Sequence, residues 1–218
     1  MTGVCGRAVL GGALAFAVLG VGVRVGWAGS FTIDPGQSAL VVRVFKDGVA
    51  ARLAHDHVVQ ARAFSGSVAY DPQKPDASSI QVKVEVGSLV ADEPATRRKF
   101  GLAAGDPSAK DRADIEAAMK SDGQLAAARF PSITFASTSI AKQPDGRLLV
   151  TGRLTIRGVT QEVKFPAQIT MEGSLLRGRA QLTFKQSSFG YQPYRAALGA
   201  IKNKDEVTLH IDLAAKAP

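Results

Sequence analysis

Alternation of apolar and polar residues with a period of two constrains the fold of this sequence more than any other feature. It is clear in five segments: 38–46, 80–87, 147–158, 162–171 and 206–213. In the fourth segment, for example, every second position from Val163 to Met171 is apolar. A period of two is typical of β-strands that bury one face. Weaker alternation in 61–70, 132–140 and 175–184 brings the expected number of strands to eight.

One long stretch, residues 92–130, interrupts this alternation. Its first part contains two prolines and two glycines and is expected to form a loop. Residues 109–120 then predict a helix, because Ser108 and Asp111 have the spacing of a capping box and apolar residues recur four positions apart. We therefore expect one short α-helix inserted among the strands.

Eight strands with one apolar face each can form a two-sheet sandwich or a closed barrel. Closure removes the exposed edges that long sheets otherwise have to protect. The sequence therefore favours an all-β fold, a single antiparallel eight-stranded barrel. Its inward faces would be mostly Val, Ile, Leu and Phe. A cavity in such a barrel would select an apolar ligand.

Residues 1–28 have the pattern of a secretory signal peptide. Arg7 precedes an apolar run of 16 residues, 8–23, and small residues occupy positions 26 and 28. A spanning helix needs about 20 residues, so we favour cleavage near Ala28 over a retained anchor. The expected product is a domain of residues 29–218, periplasmic or secreted.

Composition excludes several classes of function. One cysteine among 218 residues cannot build a disulfide framework or a four-thiolate zinc site. The net charge of +8 is dispersed and has no aromatic stacking platform, which argues against nucleic-acid binding. Transient contact with a membrane surface remains compatible with this charge. No nucleotide-binding glycine motif and no nucleophile elbow occur, so no catalytic residues are expected.

Several motifs together resemble the YceI-like family. They are Phe31-Thr32-Ile33-Asp34-Pro35, Phe64-Ser65-Gly66, Arg129-Phe130-Pro131-Ser132-Ile133-Thr134-Phe135, the hairpin Thr151-Gly152-Arg153-Leu154-Thr155-Ile156-Arg157-Gly158-Val159-Thr160, and Ser187-Ser188-Phe189-Gly190. The resemblance implies a lipocalin-like barrel in the periplasm, without a cofactor and without enzymatic activity. It also implies an apolar cavity that holds a polyisoprenoid, such as a quinone or a polyprenyl phosphate, in a monomer or homodimer.

The sequence departs from the family pattern at two places. The expected helix has no histidine, and Ser188 stands where the family commonly has aspartate. In addition, the segment Ala54-His55-Asp56-His57 resembles one branch of the family rather than its commonest form.

Candidate site residues follow from the strand faces and from the polar segments beside them. The expected cavity wall consists of Val82, Val84, Phe135, Leu154, Ile156, Phe165 and Ile169. Small inward residues, among them Ala167 and Gly152, are expected to leave space. The expected contacts to a ligand head group at the rim are His55, His57, Arg97 and Arg98.

Two alternatives to the lipid-binding hypothesis stay open at this point. His55 and His57 lie two positions apart and would point the same way on an extended segment, so they could bind a metal or a haem-type group. His210, the remaining histidine, is expected to face outward. The other alternative is a ligand-free, stress-related structural protein whose barrel is filled by side chains.

Overall fold

The computed structural model describes residues 29–102 and 105–217. The expected signal peptide, residues 1–28, lies outside the described residues. The strands are β1 Gly29–Ile33, β2 Ala39–Asp47, β3 His57–Ala61, β4 Phe64–Tyr70, β5 Ser79–Glu85, β6 Leu89–Ala91, β7 Ser132–Lys142, β8 Leu148–Ile156, β9 Val159–Glu172, β10 Leu175–Lys185, β11 Arg195–Ala196 and β12 Ile201–Lys216. The α-helices are α1 Pro94–Lys99 and α2 Ala109–Lys120.

Eight strands form a closed antiparallel ring in the order β1-β4-β5-β7-β8-β9-β10-β12. The ring closes where β1 pairs with the end of β12, with Thr32 opposite Lys216 and Ile33 opposite Ala215. This closure confirms the barrel that the sequence favours over a sandwich.

One strand of the ring, β1, is absent from the expected set of eight, and one expected strand, 38–46, lies beside the ring. Strand β12 has 16 residues and is long enough to pair with β2 along most of its length and with β1 at its end. The expected strand 38–46 is therefore β2, which continues into β3 and β6 beside the ring. The expected strand 61–70 corresponds to β4, Phe64–Tyr70, and its first residue, Ala61, is instead the last residue of β3.

Helix α2 has the expected bounds and the expected cap. The Ser108 hydroxyl accepts a hydrogen bond from the Asp111 backbone N–H at 3.1 Å, and the Asp111 carboxylate accepts one from the Ser108 N–H at 3.2 Å. Helix α1 lies in the stretch that was expected to be a loop, so that prediction is wrong for Pro94–Lys99. Its burial depends on an ion-paired arginine, Arg97, and apolar periodicity cannot reveal such a contact.

The two ends of the barrel differ. At one end Phe31, Ile33, Leu176 and Ala215 are all at most 3% exposed and pack together. The other end carries both helices, the β2–β3 connection 48–56 and the segment 186–200, and we call it the helical end. No helix among the described residues is long and apolar enough to cross a membrane.

Candidate ligand-binding site

The barrel encloses a cavity of about 400 Å³. Its wall is formed by the inward faces of β2, β3, β5, β7, β8, β9, β10 and β12, and by α2. Ile115, Ala118 and Met119 of α2 line it from the helical end. The volume is within the range of pockets that hold a small organic ligand. The interior is therefore not filled by side chains.

All seven residues that the sequence places on the wall lie on it. Val82 and Val84 are on β5, Phe135 is on β7, and the remaining four are on β8 and β9: Leu154, Ile156, Phe165 and Ile169. A period of two sends alternate side chains to the same face, so closing the sheet brings them together. Their contact with a ligand stays a prediction.

Two glycines that face the barrel interior differ in how much free space lies beside them. A Cβ atom on Gly152 would lie 2.5 Å from Cζ of Phe135, so the aromatic ring already occupies the space beside this glycine. The prediction that Gly152 leaves space in the cavity is therefore wrong. Gly178 on β10 lines the cavity, and a Cβ atom there would meet nothing within 4 Å. The space near Gly178 is part of the open volume.

Several polar residues line the cavity, among them Gln124, Tyr194 and Asn203 at the helical end. The Gln124 amide donates to the Gln192 carbonyl at 3.1 Å, and the Asn203 backbone N–H donates to the Tyr194 carbonyl at 3.0 Å. The sequence does not predict these residues as part of the site. They lie in irregular segments or beside the β-bulge between Asn203 and Val207, where strand alternation carries no information.

Of the four expected rim residues, His57 alone lines the cavity. Its Nδ1 lies 2.5 Å from Oδ2 of Asp92, a fully buried carboxylate at the end of β6. The other oxygen of Asp92 accepts hydrogen bonds from the Val58 N–H at 3.1 Å and from Arg97 at 2.9 Å. Asp92 has a φ of 52°, which is uncommon for a residue with a side chain. Three partners hold this carboxylate in place.

These partners determine the ionisation of Asp92. Burial raises its pKa, but the hydrogen bonds from His57, Val58 and Arg97 outweigh burial, and the net pKa lies below the usual value. Asp92 is therefore a buried anion at neutral pH. An unpaired buried anion would be strongly unfavourable, which explains why cationic and polar groups surround it.

His55 lies beside His57, and the centroids of their rings are 4.6 Å apart. Its Nε2 atom is buried and has no hydrogen-bond partner among the described residues. Burial and the neighbouring His57 lower the pKa of His55. One ring nitrogen from each histidine and a carboxylate oxygen of Asp92 all lie within 4.8 Å of one another.

The two arginines expected at the rim are in different surroundings. Arg97 is 1% exposed, and its guanidinium group contacts Asp92 at 2.9 Å and Asp106 at 2.7 Å. The expectation that Arg97 lies at an open rim is therefore corrected. Arg98, the next residue of α1, is exposed and does not line the cavity. Successive helical residues point about 100° apart, so adjacent arginines need not share an environment.

A closed antiparallel barrel around an apolar cavity defines the class of lipocalin-like barrels. The model of the YceI-like domain matches residues 31–215, and the chain belongs to the YceI-like family.

Known proteins similar to this chain agree with that assignment. A UPF0312 protein of Shewanella sp. (strain ANA-3) is 29% identical over 124 residues, 56% of this chain and 55% of the relative. The chain thus spans about half the length of that relative. A UPF0312 protein of Shewanella sp. (strain W3-18-1) is 28% identical over 72% of both chains.

Solved structures show the same fold. The crystal structure of Burkholderia cenocepacia BcnA has a TM-score of 0.66 and 22% identity, covering 84% of this chain and 99% of that chain. A Campylobacter jejuni YCEI protein has a TM-score of 0.56 and 16% identity, covering 73% of this chain and 84% of that chain. At these identities the likeness concerns the fold.

Proposed function

We propose that this protein is a non-enzymatic lipid-binding protein that holds a long isoprenoid chain, of the quinone or polyprenyl-phosphate type, in its barrel. The observation that carries the proposal is the continuous apolar wall of a cavity of about 400 Å³. A filled core would have no such space, and a site for a small polar molecule would have more polar groups on its wall.

The dimensions of the cavity suit a chain rather than a compact molecule. The part of β12 after the β-bulge lines the cavity from Val207 to Leu213, which corresponds to roughly 20 Å at about 3.3 Å per residue. Burying about 300 Å² of apolar ligand surface would contribute about 7 kcal/mol. Part of that free energy is offset by ordering the flexible ligand.

The polar residues of the helical end are the proposed contacts for a head group. Gln124, Tyr194 and Asn203 line the cavity there, whereas the opposite end is sealed by apolar packing. A ligand with one polar end would therefore bind with that end toward the helices. His57 also lines the cavity and can contribute an imidazole.

Native mass spectrometry of the protein produced with its own N-terminus tests this proposal. We expect an adduct that organic solvent removes and that fragments as a polyprenyl chain. We also expect a mass beginning at Gly29, because we propose that residues 1–28 direct export to the periplasm. A bare mass, even after incubation with quinones and polyprenyl phosphates, would contradict lipid binding.

A cavity-filling variant provides a second test. Gly178→Phe places a ring in the open volume of the cavity and should lower the bound ligand at least tenfold. Gln181→Phe is the matched control, because Gln181 is on the same strand but is exposed and does not line the cavity. Equal ligand occupancy in the two folded variants would argue against binding in the barrel.

We also propose that two exposed apolar loop tips contact the membrane from which the ligand is taken. Val49 is 95% exposed and Leu198 is fully exposed. Their loops are joined by a hydrogen bond from the Ala50 N–H to the Ala200 carbonyl at 3.0 Å. Exposed Arg52 and Arg195 flank them. Apolar tips beside cationic side chains favour an anionic lipid surface.

Vesicle flotation tests this contact. On vesicles of phosphatidylcholine and phosphatidylglycerol, the double variant Val49→Asp/Leu198→Asp should bind at least fivefold less than the unmodified protein. Met171→Asp is the control, because Met171 is 41% exposed at the opposite end of the barrel. Similar losses in both variants would indicate a nonspecific effect of charge and would contradict docking through the loop tips.

A further inference from the structure

We propose that His55 and His57 form a binding site for a divalent transition-metal ion at the helical end of the barrel. Both side chains belong to the short segment that leads into β3. One nitrogen of each ring and a carboxylate oxygen of Asp92 lie within 4.8 Å of one another. Ligand atoms that share one ion with bonds of about 2.0–2.1 Å lie at most about 4.2 Å apart, so an upper bound of 4.8 Å places the three groups close to bonding range.

Asp92 acts on this site as a positioning residue. Its carboxylate accepts a hydrogen bond from Nδ1 of His57 at 2.5 Å, which leaves Nε2 of that ring as the nitrogen with a free lone pair. Histidines that bind metals commonly donate their other ring N–H to a carboxylate. His57 and Asp92 have this arrangement.

The surroundings of Asp92 hold this orientation firmly. The carboxylate is fully buried, and Arg97 contacts it at 2.9 Å while also donating to the Asp56 carbonyl at 3.0 Å. Arg97 therefore connects α1 to the residue between the two histidines. A buried aspartate and a buried arginine thus fix the orientation of the His57 ring.

His55 supplies the second ligand. Its surroundings support the site independently of the contacts around His57. Its buried Nε2 has no hydrogen-bond partner in the part of the chain that the structure describes. A buried polar atom without a partner costs about 1–3 kcal/mol. A metal ion that binds this nitrogen would remove that cost.

The donor set indicates which ions would bind. Neutral imidazole nitrogens suit Zn²⁺, Cu²⁺, Ni²⁺ and Co²⁺ better than Mg²⁺ or Ca²⁺, which prefer oxygen ligands. Two protein ligands leave coordination positions for solvent or for an oxygen atom of another molecule. Because His57 also lines the cavity, those positions are next to the proposed head-group end.

Titration with Co²⁺ and Zn²⁺ tests the site. Untagged protein that still carries residues 1–28 is alkylated beforehand, since a free thiol at Cys5 would also bind these ions. Visible absorption of Co²⁺ and calorimetry with Zn²⁺ should both give one ion per chain. His55→Ala and His57→Gln should each weaken binding at least tenfold. Asp92→Asn should weaken it about 10–100-fold if the carboxylate positions His57.

His210→Ala is the matched control. His210 is the third histidine of the chain and packs against Phe100, with ring centroids 4.8 Å apart, outside the cluster. It should leave the affinity for Zn²⁺ unchanged, and circular dichroism should show that every variant is folded. Undiminished binding by a folded His55→Ala/His57→Gln double variant, or no binding of Co²⁺ and Zn²⁺ by the unmodified protein, would overturn the proposal.

This test is separate from the test of lipid binding. A protein that binds Zn²⁺ but has no lipid adduct would support the metal site and contradict the proposed function. A lipid adduct that persists in the double variant, together with loss of Zn²⁺ binding, would support both.

Discussion

At the scale of single residues, the fit between Gly152 and Phe135 gives a sharp prediction. Gly152→Ala should lower the free energy of unfolding by about 1–3 kcal/mol, because the new methyl group collides with the aromatic ring. Urea denaturation measures the change. Gly178→Ala is the control and should be nearly neutral, because a Cβ atom there meets nothing within 4 Å. Equal effects of the two substitutions would contradict this account.

His210 gives a prediction of pH dependence. Burial, chiefly, and nearby Arg43 lower its pKa below 6.5. The unfolded chain therefore binds a proton more readily than the folded one, so this contribution to stability is complete above pH 6.5 and is lost as the pH falls below it. The melting temperature should fall between pH 7.5 and pH 5.5. His210→Gln should reduce that fall, and an unchanged fall would show that His210 does not contribute.

The sequence predicts single residues well where their environment is set by alternation and poorly where it is set by charge. Val82 and Phe165 face the cavity because closing a sheet brings every second side chain inward. Arg97 is buried because Asp92 and Asp106, which lie outside its helix, both pair with it. No local pattern connects these three residues, so the polar cluster could not be predicted.

At the scale of elements, the cap of α2 is open to a direct test. Ser108→Ala should lower the free energy of unfolding by about 1 kcal/mol, because it removes the acceptor for the Asp111 N–H. Hydrogen exchange over Ala109–Lys120 should become faster. Lys110→Ala, which removes an exposed ion pair with Asp114, should lower the free energy of unfolding by clearly less than Ser108→Ala does. A larger effect of Lys110→Ala would contradict the role of the cap.

Most long elements were predicted well and the short ones were not. The α2 helix and the strands β7 to β10 carry enough periods for their residues to determine the type and, to within three residues, the bounds. The exception among the long elements is β12, Ile201–Lys216, which extends beyond the predicted strand 206–213 at both ends. The strands β6 and β11 have three and two residues, too few to show a period. They are strands because their partners β3 and β12 offer free hydrogen-bonding edges, which is a tertiary effect.

At the scale of the whole molecule, a single hydroxyl group supports ring closure. Ser38 Oγ donates to the Asp34 carbonyl at 2.7 Å and accepts from the Ala214 N–H at 2.9 Å, next to the β1–β12 pairing. Ser38→Ala leaves a buried N–H unpaired and should cost about 1–3 kcal/mol. For a chain of this size, that corresponds to a fall in melting temperature of roughly 2–12 °C.

Ser67→Ala is the control for this prediction. Ser67 is exposed on β4, within the same ring, and its removal should change the melting temperature by no more than about 2 °C. Equal changes in the two variants would mean that the hydroxyl of Ser38 has no special part in closure.

The position of β12 in the chain has a consequence for biosynthesis. This strand pairs with β10, β2 and β1 and follows all three in the chain, so it leaves the ribosome after them. Until it emerges, the ring is open and the cavity has no complete wall. The barrel can therefore enclose a cavity only once all eight strands of the ring have been synthesised, and any loading of that cavity follows that step.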